Sequence, residues 1–185
     1  MKRRRVALAL ILVLILSVGA SAQEPEYRGN ASREIKALSP EQIEQLISGS
    51  GMGLALAGEL NRYPGPKHVL ELADRLQLTK AQRMETQALY DEMLRDARRL
   101  GKAIVDWEGN LDQLFATGRI SEQELGAALD QIAELNARLR YVHLSAHLRM
   151  KALLTESQIE TYSGLRGYTS GTGTPSNDHQ GHRGQ

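Results

Sequence analysis

The stretch YVHLSAHLRM, residues 141–150, carries the residue types most suited to chemistry in this chain. His143 and His147 are four apart, so on a helix they share one face, and Met150 follows three further on. Two imidazoles and a thioether along one stripe are donors for Zn, Ni or Cu. Such a pair needs a further ligand, and a carboxylate on a facing helix would supply it, with Glu92, Asp96 and Asp106 as candidates. The bland alternative is a pair of histidines at an interface or in solvent. No His-Glu-x-x-His arrangement occurs, so a metalloprotease is not indicated. His179 and His182 near the C-terminus would hold a metal only loosely, and His68 beside Pro66 reads as structural. Cysteine is absent, which excludes thiol catalysis and thiolate zinc sites. The glycine-rich GSGMGLALAG lacks the Gly-x-Gly-x-x-Gly order and any preceding strand. No nucleotide loop, nucleophile elbow or convincing carboxylate pair is present. The expectation is a protein that is not an enzyme and requires no cofactor.

The elements that would position these residues announce themselves through a repeated pentad. Leu78-Thr79-Lys80-Ala81-Gln82 and Leu154-Thr155-Glu156-Ser157-Gln158 both read Leu-Thr-x-x-Gln. A helix begins with amides that have no intrahelical partner. A Ser or Thr at the N-cap accepts from one, and a Gln or Glu three residues on reaches back to the cap's own amide. Thr79 with Gln82 and Thr155 with Gln158 fit this box. Ser39 with Gln42, followed by Pro40 at the first helical position, and Ser121 with Glu124 fit it too. Leu38 with Ile43, Ile120 with Leu125 and Leu154 with Ile159 add the hydrophobic staple, which fails only where Leu78 would meet Arg83. These boxes predict helix starts.

After Thr79, Tyr90, Met93, Ala97, Leu100, Ile104, Trp107, Leu111 and Leu114 recur in steps of three and four. Gly118 marks a stop. A second register runs Leu125, Ala128, Ile132, Leu135, Leu139, Val142, Ala146 and Leu153, interrupted at Arg149. The two helices are each roughly 50 Å long at 1.5 Å per residue, and their short connection makes them antiparallel neighbours. A shorter helix over about Val69–Leu76 precedes them and another over about Glu156–Leu165 follows. Leu89, Leu94, Phe115, Leu129, Leu144 and Leu148 fall off the seam and need another surface. Short helices would cover part of it and a second copy of the chain the rest.

The ends are of other kinds. MKRRR is a basic start, Val6–Leu16 an apolar run, and Ala20-Ser21-Ala22 a small-residue cleavage site, so residues 1–22 read as a secretory signal cut near Ala22. Removing its four cations takes the formal charge from +1 to −3, which argues against a nucleic-acid partner. Residues 23–66 read as a polar leader with a short helix and a Gly/Pro-rich arm. Residues 67–167 are the helical domain, and residues 168–185, GYTSGTGTPSNDHQGHRGQ from its preceding glycine, read as a disordered tail. The fold class expected is all-α, with no strand alternation.

An exported, cysteine-free helical chain with two such pentads resembles the Spy/CpxP family, also called the LTxxQ family. The matching residues are Leu78, Thr79 and Gln82, then Leu154, Thr155 and Gln158, with Leu38-Ser39-Pro40-Glu41-Gln42 as a looser copy. The resemblance covers roughly residues 70–165. It implies a periplasmic location and a thin helical hairpin that pairs into a cradle-shaped homodimer. Some members are ATP-independent chaperones for unfolded envelope proteins, others regulate a sensor kinase, and a related branch binds or senses transition metals. The function expected first is therefore a chaperone or envelope-stress factor. A periplasmic protein that binds or senses Zn, Ni or Cu is the alternative. For a holding surface the pertinent residues are Arg95, Arg98, Arg99 and Lys102 on the first long helix, and Arg138, Arg140, Arg149 and Lys151 on the second. Met52, Met84, Met93 and Met150 would add adaptable contact, with Met93 placed rather in the seam core by its register. Charges of this kind are equally a solvated helix face.

Overall fold

The computed structural model of the chain describes Tyr27 and residues 29–168. The expected signal segment, and the expected tail from residue 169 on, lie outside these residues. Six helices run in order among them: α1 (Pro40–Ser48), α2 (Leu56–Glu59), α3 (Pro66–Glu71), α4 (Lys80–Ala116), α5 (Glu122–Leu153) and α6 (Glu156–Leu165). The described residues form no strand, so the fold is all-α. No helix among them is long and apolar enough to cross a membrane.

All four capping boxes form, each with both reciprocal bonds, at Ser39, Thr79, Ser121 and Thr155. The third short helix starts earlier than its periodicity suggests, because Pro66 takes the first helical position. Between α4 and α5 the chain reverses through Gly118, whose φ of 63° suits glycine. The two long helices, of 37 and 32 residues, pack together and run in opposite directions: Met93 clusters with Ala146 and Met150, while Ile104 clusters with Leu139.

Two apolar clusters hold this arrangement. At the end remote from the turn, Val69, Leu76, Leu78, Leu89, Met93, Met150, Leu154, Ile159 and Tyr162 bring α3, α4, α5 and α6 together. Midway along the pair, Leu46 of α1 joins Ala97, Leu100 and Ile104 of α4 and Leu139 of α5. Nearer the turn the cover thins, and Phe115 and Leu129 stand exposed.

The stretch that reads as leader and arm lies, from Ile35 on, against the long helices. Ile35, Leu38, Leu46 and Leu54 are too apolar to stay in water, and α4 offers a place without side-chain bulk: a Cβ at Gly101 would sit 2.0 Å from the Leu46 carbonyl oxygen. Lys36 Nζ adds an ion pair with Asp112 at 2.8 Å, and Arg98 Nε donates to the Ser48 carbonyl at 3.2 Å. This segment takes up part of the apolar excess within one chain. Leu94 lies beside Gly49 and Leu144 beside Gly58, and Leu89 is buried. Phe115, Leu129 and Leu148 remain exposed.

Candidate functional site

α2 is a single turn, but its last residue, Glu59, is only 7% exposed and is the hub of a polar cluster. Tyr162, fully buried on α6, donates its hydroxyl to Glu59 Oε1. Burial, and then this hydrogen bond, push the Tyr162 hydroxyl far above its ordinary value, so it remains a donor. Arg166 Nε lies 3.7 Å from the same oxygen. On α5, His147 Nδ1 is 2.7 Å from the Tyr63 carbonyl and 3.5 Å from Glu59 Oε2. A carbonyl can only accept, so Nδ1 carries a proton directed at Tyr63, and Oε2 gains proximity without a hydrogen bond. Gly65 permits this approach: a Cβ there would stand 2.9 Å from the His147 ring.

His143, one turn earlier on α5, is 3% exposed. Its Nε2 and Glu59 Oε2 are the buried side-chain atoms without a hydrogen-bond partner among the described residues. Burial, and secondarily the neighbouring His147, hold the His143 pKa below the ordinary imidazole value. A cavity of about 440 Å³ lies between the α1–α2 segment and the long helices, bordered by Glu59, Met93, Leu94, Arg98, His143 and His147.

The structure brings His143 and His147 together but not Met150. That side chain is fully buried in the apolar cluster with Val69, Ile159 and Tyr162. The reason is register: Met150, four after Ala146, fills the seam place that sequence reading left to an interrupting Arg149. Arg149 instead points outward to Glu92 at 2.9 Å. The facing carboxylates are also committed elsewhere, Asp96 to Arg99 at 3.4 Å and Asp106 to Lys102 at 2.7 Å. Glu59, just after the glycine-rich stretch, is the carboxylate that reaches His147, and its lone acidic place in an otherwise apolar run, LALAGEL, was the available signal. Among the described residues, no group of three or more His, Cys, Asp or Glu side chains is placed to hold a metal ion. His68 bonds Glu71 at 2.7 Å, its partly exposed ring holding the Glu71 carboxyl below its usual range.

The pentads do more than start helices. Gln82 and Gln158 exchange side-chain hydrogen bonds at 2.9 and 3.1 Å. Each also donates to a backbone carbonyl beside the other pentad, Gln82 to Leu153 at 2.9 Å and Gln158 to Leu76 at 3.2 Å. Each amide oxygen still closes its own capping box, on Thr79 at 3.1 Å or Thr155 at 2.9 Å. Leu78 and Leu154 are buried beside this clasp.

The outer surface combines paired charges with isolated large apolar side chains. Arg138 pairs with Glu134, and Lys151 lies 4.0 Å over the Tyr63 ring. Among these charges, Met84, Phe115, Leu129, Tyr141 and Leu148 are 64, 58, 48, 71 and 59% exposed. Comparison with protein-family models, with curated proteins and with solved structures finds no match for this chain.

Proposed function

We propose that this protein is an exported, Spy/CpxP-like holding factor that binds unfolded envelope proteins without nucleotide and acts as a homodimer. The observation that carries the reading is the set of exposed large apolar side chains on the two long helices, Phe115, Leu129, Tyr141 and Leu148, spread among charges. Such a surface gives loose contact with an exposed apolar segment while the charges keep it soluble. The basic start and apolar run of residues 1–16 support export. The paired pentads support the family likeness.

The test is aggregation of a chemically denatured client at equimolar holding factor, without ATP and with a chelator present. The protein is expected to suppress it. Phe115→Ser with Leu129→Ser and Leu148→Ser is expected to lose most of that suppression, at unchanged melting temperature, because these side chains are more than a third exposed and contribute little to the core. Full suppression by the triple variant, or none by the parent, would defeat the reading.

A further inference from the structure

The segment Pro40–Tyr63 is attached in a way that suits a cover. Its underside meets two buried polar atoms without partners, His143 Nε2 and its own Glu59 Oε2. Each forgoes the hydrogen bonds that water would make, which favours opening. A cavity of about 440 Å³ interrupts its packing on the long helices. The chain bends through left-handed residues on both sides of α2: Gly49, Met52 and Gly53 before it, Arg62 after it. Met52 and Arg62 hold that conformation with side chains that disfavour it. What the segment hides is apolar, since Leu46 sits on Ala97, Leu100 and Ile104.

We propose that Pro40–Tyr63 is an acid-released strap: a proton on His143 lifts it from the long helices and uncovers the apolar face that Leu46 occupies. The consequence for clients rests on the holding function proposed above; the strap itself does not.

The groups around the cavity leave a His143 cation without a partner. From its own helix comes His147, from α2 Glu59, from α3 Lys67 and His68, from α4 Tyr90 and Arg98, and from the end of α6 Arg166 and Tyr168. Glu59 is the one carboxylate among these: its Oε1 is taken by Tyr162 and neighboured by Arg166, and its unpartnered Oε2 lies 3.5 Å from His147 and makes no hydrogen bond to His143. Lys67, Arg98 and Arg166 are cations. With the strap down, burial and His147 keep the ring neutral. With the strap up, the ring is in water and titrates near its ordinary value of about 6.5. The open form therefore binds more protons below about pH 6.5, and the closed form, fully favoured above it, loses ground as the pH falls towards the depressed value. One proton makes the opening equilibrium rise about tenfold per pH unit inside that window.

The experiment follows α1 amide exchange, corrected for its intrinsic pH dependence, and protease cutting within residues 49–63, between pH 7.5 and 5. In the parent protein α1 opening should rise about tenfold per pH unit below about 6.5 while α4 and α5 amides stay protected. His143→Leu and His143→Gln should both flatten that dependence. Flat opening in the parent, or the parental slope in both variants, overturns the strap. Client holding is measured alongside. Strap opening with no holding at either pH leaves the strap standing and removes the holding function. Holding without strap opening does the reverse.

Discussion

Gly101→Ala is the sharpest perturbation because two physical effects of opposite sign meet at one atom. In the interior of an exposed helix the change adds about 1 kcal/mol, since alanine gives up less backbone freedom than glycine. Here the added Cβ would stand 2.0 Å from the Leu46 carbonyl oxygen and 2.6 Å from its carbon. Both are backbone atoms, so no rotamer change relieves the contact and α1 must leave α4. Leaving exposes Leu46, now 5% accessible, and burying one leucine stabilises by about 1.5–3 kcal/mol. Leu38 and Leu54, partly buried against the same cluster, add smaller shares. The expected sum is a loss of about 1–2 kcal/mol in a urea titration followed by helical circular dichroism. The loss should be confined: α1 amides lose protection, while Leu89, Met93 and Met150 keep theirs in the other cluster. A gain of about 1 kcal/mol with α1 still protected would refute the α1–α4 contact and with it the strap.

Three further outcomes follow from the geometry. In a double-mutant cycle of Gln82→Ala and Gln158→Ala, urea titrations should show a coupling of about 1 kcal/mol, because each amide serves the other as well as its own cap. Additive losses would mean that the clasp is two independent caps. Tyr162→Phe deprives a buried carboxylate of its donor and should cost about 1–3 kcal/mol, with faster exchange at α2; an unchanged melting temperature would show that Glu59 is not buried in solution. Arg149→Ala should move stability by no more than about 0.5 kcal/mol, since both partners of its ion pair are about half exposed.

The helices were legible because their start signals are local. A Ser or Thr with a Gln or Glu three residues later specifies a box whatever lies elsewhere, and all four boxes form. The seams of α4 and α5 were legible for a similar reason, as period alone selects the buried face. What sequence did not reveal was which non-local partner fills a given place. Residues 49–58 look like a flexible arm by composition, yet Leu54 packs against the Leu46 cluster, Ala55 and the adjoining Glu59 are buried, and Gly101 on α4 leaves the opening that the Leu46 backbone of α1 fills. Met150 looked like a ligand because it follows two histidines, but α6 arrives above it and turns that position into core. The pairing of Gln82 with Gln158 was open to inference from the repeat itself, since two identical motifs at the ends of an antiparallel pair must come close together.

The division of labour between the two apolar clusters is what would let one part move without the rest. The clasp, the ends of the long helices and Tyr162 belong to the cluster remote from the turn, which needs nothing from α1. Leu46 belongs to the other, whose remaining members Ala97, Leu100, Ile104 and Leu139 already face one another across α4 and α5. Removing α1 therefore subtracts one layer from the second cluster and none from the first. Arg62 with Glu156 and the Tyr63 carbonyl with His147 tie the end of the segment to α6 and α5, and the Glu59 carboxylate, bonded to Tyr162, links the two clusters. The balance at that carboxylate, one bonded oxygen and one unpartnered, decides whether the strap is a permanent wall or a movable one. The same balance explains why a titrating ring beside it, rather than any group on the outer surface, is the place for control: an exposed charge is screened, while a buried one must be neutral, paired or released to water.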